Sequence, residues 1–183
     1  MSAESGILLV LPLLIRMTAV LFDFSDPSSV ALWNPINDRV MGGVSQSQLR
    51  NDPAGHALFY GHVSLENNGG FASVRCQPGD LGRKEVVAYL LEVRGDGKRY
   101  KLNLRTDDGF DGVVYQVGFI PPTGQWATCS LASADFLPSW RGRPVPDAPP
   151  LDTSCVRQIG LMVADRQAGP FRLAVRSIAT ESA

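Results

Sequence analysis

Tyr100-Lys101-Leu102-Asn103-Leu104-Arg105 alternates apolar and polar residues at every step. Successive side chains leave a strand on opposite faces, so this register sets Tyr100, Leu102 and Leu104 against a core and Lys101, Asn103 and Arg105 on a polar outer face. Gln116, on the following strand, is grouped with that face. Phe171, Leu173 and Val175 alternate in the same way with Arg172, Ala174 and Arg176, which predicts a second, cationic outer surface. Working outward from these two segments, strands are expected over residues 20–24, 56–63, 71–76, 85–94, 113–119, 126–131 and 156–164. The apolar run Val86 to Leu91 suggests a strand covered on both faces. No segment sustains a 3.6-residue apolar period, so the chain reads as all-β.

The punctuation between these runs supports the same reading. Asn68-Gly69, Asp96-Gly97 and Asp108-Gly109 each supply residues that tolerate positive φ between two apolar runs. One short helical turn is expected around residues 133–136, with Ser133 as its N-cap. Residues 138–150 contain five prolines and predict a long loop, since proline cannot donate to a central sheet ladder. About nine strands suit a sandwich or jelly roll.

Composition bounds the function. A chain of 183 residues with 44% hydrophobic and 19% charged residues can bury one full core without disulfides or metal. Its 17 Lys plus Arg nearly cancel 18 Asp plus Glu, and a net charge of −1 gives no field for generic nucleic-acid or polyanion binding. Cys76, Cys129 and Cys155 are widely spaced, without a C-x-x-C pair, and are read as reduced packing residues. The apolar run Gly6 to Ile15 is too short to span a bilayer and lacks a basic leader segment. Residues 1–19 are therefore expected to be an extension, with Met17 as the native start and a hydrophobic anchor as the rival reading, and residues 20–180 a single domain.

The segment Trp33-Asn34-Pro35-Ile36-Asn37-Asp38-Arg39-Val40-Met41-Gly42-Gly43-Val44-Ser45 resembles the opening signature of the complex I intermediate-associated protein 30 family. Residues 61–75, 93–100, Trp126, 136–143, 159–162 and 169–171 continue the resemblance in order, so it covers about residues 20–178. It implies a galactose-binding-like jelly-roll β-sandwich. It also implies a role like that of the mitochondrial members, which are assembly factors that associate with intermediates of respiratory complex I. The absence of an Arg-rich transit segment makes the chain look like a short, stand-alone bacterial form, expected in the cytoplasm or peripherally at a membrane.

Candidate chemistry is sparse. The sequence contains no nucleophile elbow, zinc-protease helix, phosphate loop or dinucleotide fingerprint, so no enzymatic activity and no cofactor are expected. His56 and His62 lie on one face of one strand, but about 20 Å apart at ~3.3 Å per residue, too far for a shared ion, and read as exposed strand histidines. Asp107-Asp108-Gly109-Phe110-Asp111 offers oxygen ligands for calcium, with a solvated hairpin turn as the alternative, and no metal site is assigned. Trp33 and Trp126 are expected in the core, leaving Trp140 as the uncertain member of a sugar-stacking set.

The candidate partner-binding residues fall into three groups. Asn37, Asp38, Arg39, Met41, Gly42, Gly43 and Ser45 form a glycine-rich loop with both charge signs, and the competing reading has Asp38 and Arg39 anchoring that loop while Met41 plugs the core. Lys101, Asn103, Arg105 and Gln116 form the polar sheet face. Trp140, Arg141 and Arg143 belong to the residue types enriched at interaction hot spots. The expected partner is a protein, a subunit or assembly intermediate of a membrane-associated respiratory or photosynthetic complex, and the alternative is a glycan.

Overall fold

The computed structural model describes residues 16–38 and 42–183. Among them the chain forms two antiparallel sheets packed face to face. The strands are β1 (Met17–Asp23), β2 (Trp33–Pro35), β3 (Gln46–Asp52), β4 (His56–Val63), β5 (Ala72–Cys76), β6 (Val86–Arg94), β7 (Tyr100–Arg105), β8 (Val114–Phe119), β9 (Ala127–Ala132), β10 (Leu137–Trp140), β11 (Arg143–Pro144), β12 (Gln158–Val163) and β13 (Gly169–Ser182). One sheet runs β3-β4-β13-β6-β9, and the other β11-β10-β8-β7-β12-β5-β2. The long β13 joins the first sheet together. Its first half pairs with β4 and its second half with β1, while β6 runs along the opposite edge and a bulge near Ser177 shifts the register.

The core lies where the inward rows of both sheets meet. Tyr100, Leu102 and Leu104 are fully buried, as the alternation of β7 predicts. Phe59 and Phe171 from the first sheet lie 4.8 Å apart and pack on Tyr100 of the second, which also meets Phe119, at ring separations of 6.1 to 6.5 Å. Phe22, Phe24 and Trp33 form a second aromatic group that ties β1 to β2. Strand β1 begins at Met17 and β13 continues to Ser182, so the sheets extend past the expected 20–180 limits at both ends. The expectations for residues 1–15 lie outside the described residues.

Several local expectations are corrected. β6 is not covered on both faces: Leu90, Glu92 and Arg94 of its outer row are half-buried, and Val87, at the register shift near its start, is exposed. Ser133 does not cap the 3-10 turn Ser133–Asp135; its hydroxyl donates to the Val86 carbonyl and Ala132 occupies the cap position. Residues 138–150 are not all loop, since β10 and β11 form a hairpin at the sheet edge, where Pro138 and Pro144 cost no central ladder bond. His56 is buried edge-on against Trp126 at 5.3 Å, while His62 remains exposed. Trp126 itself is half-buried outside the core, with Arg176 and Arg94 stacked on it at 4.0 and 5.0 Å. In the 106–112 loop Gly109 is not the positive-φ residue. Gly112 is, at 136°, and the Gly109 amide donates to the Asp107 carboxylate at 2.8 Å.

The three cysteines occupy three environments. Cys76 is buried, where desolvation pushes its thiol pKa up to about 11, Cys129 is half-buried, and Cys155 is exposed rather than packed. Labelling of the folded chain with a thiol reagent is expected to modify Cys155 rapidly and Cys76 only after unfolding. Rapid modification of Cys76 in the native state would show that the β5 edge of the core opens readily.

Candidate functional site

Across the outer face of the second sheet runs a trough of about 560 Å³. Its floor follows from strand register. Gln116 of β8 lies opposite Asn103 of β7, Asn103 opposite Gly160 of β12, and Gly160 opposite Arg75 of β5, which makes one row perpendicular to the strands. A second row pairs Lys101 with Met162, and Met162 with Ser73. Gly160 contributes no side chain, so the middle of the first row stays open. Phe110, Asp111, Gly112, Arg141 and Gly142 wall one end, and Asn68 to Phe71 with Ala164 to Arg166 wall the other.

The structure therefore brings together five of the sequence-predicted residues: Lys101, Asn103, Arg105, Gln116 and Arg141 all line this trough. Arg105 departs from expectation in one respect. Its side chain is buried rather than solvated, because its guanidinium is drawn into the 106–112 loop, donating to the Asp107 carboxylate at 2.8 Å and to the Asp111 carbonyl at 2.8 Å. Trp140 and Arg143 do not line the trough; they face each other in the β10–β11 hairpin beside it.

The acidic turn is spent on arginines. Asp107 pairs with Arg105, Asp108 with Arg157 at 2.8 Å, and Asp111 with Arg141 at 2.5 Å. The Arg141 bond, helped by the Trp140 indole N–H at 3.0 Å, pulls the Asp111 pKa down to about 2. These pairings give the carboxylates a structural role in which the turn is latched to its neighbours, and the oxygens do not converge as calcium ligands would.

The signature loop turns out to support the site from behind. Asp38 has 0% exposure, and its carboxylate accepts the Ser45 hydroxyl at 2.6 Å, the Ser45 amide at 3.0 Å and the Gly70 amide at 2.9 Å. Burial raises its pKa, but these bonds and one from the Phe71 amide outweigh it and hold the group below the ordinary carboxylate value. Asp38 thus clamps the 68–71 wall of the trough to its own loop. Asp38 and Ser45, both expected to meet a partner, have no surface with which to do so; their side chains are consumed by each other and by loop amides. Gly43 is likewise buried and is no hinge: a Cβ there would stand 2.3 Å from Asp38 Cγ, so the residue is required for close packing. Gly42, exposed with φ of 86°, does need glycine for its backbone. Asn37 is half-buried, and its carbonyl oxygen accepts from the Ser47 hydroxyl at 2.6 Å. Arg39 and Met41 lie outside the described residues.

Sequence reasoning missed Arg75, Phe110, Gly160, Met162 and Arg166, all of which line the trough. Arg75 and Met162 carried a readable signal. Ala72, Val74 and Cys76 alternate with Ser73 and Arg75, and Leu161 and Val163 flank Met162, so period-2 patterning assigns both to the outer face. Phe110 and Arg166 sit in turns, where no periodicity exists to place them. The three tryptophans do not form a sugar platform. Trp33 is buried, Trp126 is covered by arginines, and Trp140 stands outside the trough.

Two antiparallel sheets around one core, with a trough across one outer face, define a galactose-binding-like jelly-roll β-sandwich. The fold is shared with the family 11 carbohydrate-binding module of a Clostridium thermocellum cellulosomal cellulase, at a TM-score of 0.69 and 15% identity over 91% of this chain and 95% of that one. The chain belongs to the Complex I intermediate-associated protein 30 family, whose model matches residues 22–175. It is 26% identical over 186 residues to the mitochondrial Complex I intermediate-associated protein 30 of Drosophila melanogaster, covering 90% of this chain and 63% of the fly protein. An uncharacterised protein of Schizosaccharomyces pombe is 29% identical over 163 residues, covering 78% of this chain and 74% of that protein. The chain thus spans somewhat under two thirds of the length of the fly relative. No helix among the described residues is long and apolar enough to cross a membrane.

Proposed function

We propose that this chain is a non-catalytic binding domain that works as an assembly or chaperone-like factor, holding a protein partner in the trough of the second sheet. The partner in this reading is a subunit or assembly intermediate of a membrane-associated respiratory or photosynthetic complex, met by the domain as a peripheral, cytoplasmic protein. The observation that carries the reading is the convergence of Lys101, Asn103, Arg105, Gln116 and Arg141 on one trough. These are ammonium, guanidinium and amide groups, which recognise charge and hydrogen-bond pattern, four of them set on strands and Arg141 on the β10–β11 turn. The family relationship, whose named members are complex I intermediate-associated proteins, supports the same assignment. The glycan alternative draws on the shared fold alone. Phe110 is the exposed aromatic of the trough, and the Arg75 guanidinium lies 5.2 Å from its ring centre, on the face a sugar would stack against.

The test is site-specific photo-cross-linking in cells. With the cross-linking residue at Gln116, subunits of a membrane-associated complex are expected among the adducts identified by mass spectrometry. With it at Ser130, exposed on the first sheet, they are expected to be missing. The same adducts from both positions, or none from Gln116, would overturn the proposal.

A further inference from the structure

The trough holds more positive charge than its surroundings neutralise. It is lined by five cations, Arg75, Lys101, Arg105, Arg141 and Arg166. Three are matched: Lys101 by Asp165 at 2.7 Å, Arg105 by Asp107 at 2.8 Å and Arg141 by Asp111 at 2.5 Å. Arg75 and Arg166 form no ion pair with the described residues, which leaves an excess of two positive charges in a chain whose overall charge is −1.

Arg75 is the better placed of the two. It is half-buried in β5, beside the open floor at Gly160, and its two terminal nitrogens both donate to the Phe110 carbonyl at 3.2 Å. A guanidinium carries five N–H donors in a planar fork, so donors remain for an incoming acceptor, and a carboxylate matches that fork with two parallel bonds. Two further polar atoms beneath this floor are without partners: the donor Arg105 Nε, which calls for an acceptor, and the acceptor Asn103 Oδ1, which calls for an N–H such as a peptide's rather than for an anion. A buried side chain with an unsatisfied donor and a half-buried cation without a counter-charge are costs that a ligand of the opposite sign relieves.

We infer that the trough takes an extended acidic segment of a protein partner, one carboxylate of which pairs with Arg75 above Gly160. This rests on the reading of the trough as the partner site. A volume of about 560 Å³ suits a few residues of extended chain, whereas a folded partner's surface needs a broader face. Asn103 and Gln116 along the floor supply amides for the peptide backbone, while Arg166 extends the positive charge toward the 164–166 wall, where Lys101 is already matched by Asp165.

The probe is a fluorescently labelled short peptide of alternating Glu and Thr, compared with the same peptide carrying Gln for every Glu, on the full chain. Saturable binding of the Glu peptide is expected, at least about tenfold tighter than the Gln peptide. Arg75→Gln is expected to weaken it by about tenfold or more, with Arg75→Lys between the two because it keeps charge but loses the fork. Raising salt from about 0.05 to about 0.5 M is expected to weaken it as well. A thermal melt checks that each variant is folded, and if Arg75→Gln is not, Arg166→Gln on the exposed turn serves for the same comparison. Equal binding of the two peptides, no binding up to millimolar concentration, or unchanged affinity in a folded variant would each overturn the inference. Displacement of the peptide by polygalacturonate at lower carboxylate concentration would overturn the protein occupant in favour of an acidic glycan. Gln116 cross-links with no acidic-peptide binding would sink this inference while sparing the assembly role, and the reverse pattern would sink the assembly role alone.

Discussion

Asp38→Ala is expected to destabilise the domain by about 3 to 5 kcal/mol, because it strands the Ser45 and Gly70 amides in a buried site at about 1 to 3 kcal/mol each. At this chain length that corresponds to a fall in Tm of about 6 to 20 °C. The Ser45 hydroxyl also loses its acceptor, and the 68–71 wall loses the clamp that fixes it to the signature loop. The charge has a second, pH-dependent signature. The folded-state pKa lies below the unfolded value, so the stabilisation is fully present above the unfolded pKa near 3.9 and is lost as pH falls through the lower, folded value. Asp38→Asn keeps the shape but cannot titrate. Between about pH 5 and pH 3 its Tm should fall less steeply than that of the parent chain, other carboxylates contributing alike to both. Coincident profiles, or an Asp38→Ala protein that melts normally, would show that the buried carboxylate does not hold the loop.

Trp33→Ala is expected to cost about 3 to 5 kcal/mol, a second effect of the same size from a different cause. Its indole packs 5.1 Å from Phe22 and 5.8 Å from Phe24, joining β2 at the edge of one sheet to β1 at the edge of the other. Removing it opens a cavity that the paired strands around it cannot collapse to fill. Trp33→Phe separates packing from hydrogen bonding, since the indole N–H is buried without a partner. Losing that donor removes an existing penalty, so the Phe variant should cost no more than about 1.5 kcal/mol despite its smaller ring. Equal losses for Ala and Phe in denaturant titration would show that shape complementarity, not apolar volume, governs this corner of the core.

Not every strand was legible. β3 reads Gln-Ser-Gln-Leu-Arg-Asn-Asp and presents almost no apolar face, yet it pairs residue for residue with β4 from Gln46↔His62 to Asp52↔His56. Its strand character comes from its partner's backbone, which a local pattern cannot display. β2, β10 and β11 are hidden because Pro35, Pro138 and Pro144 argue against a strand, an argument that lapses at the edge strands β2 and β11 and at Pro138, which lies beyond the two-residue pairing of β10 with β11. The clearly alternating segments were found, because burial of one face forces the period whatever the neighbours are.

The sequence by itself determined the all-β class, the inward row Tyr100, Leu102 and Leu104 of β7 with Lys101 and Asn103 opposite it, and the inward row Phe171, Leu173 and Val175 of β13 up to its bulge. Each of these follows from alternation, a property of neighbours along the chain. Only the tertiary structure decided what the signature loop does. Asp38 is followed by glycines in a stretch that reads as an exposed binding loop, but its bonding partners are Ser45, seven residues on, and Gly70, thirty-two residues on, and that second contact buries it. The trough belongs to the same category. Arg75, Asn103, Gln116 and Gly160 come from four strands and become neighbours through register alone, so their shared surface, and the unmatched charge on Arg75, exist only once the sheet has formed.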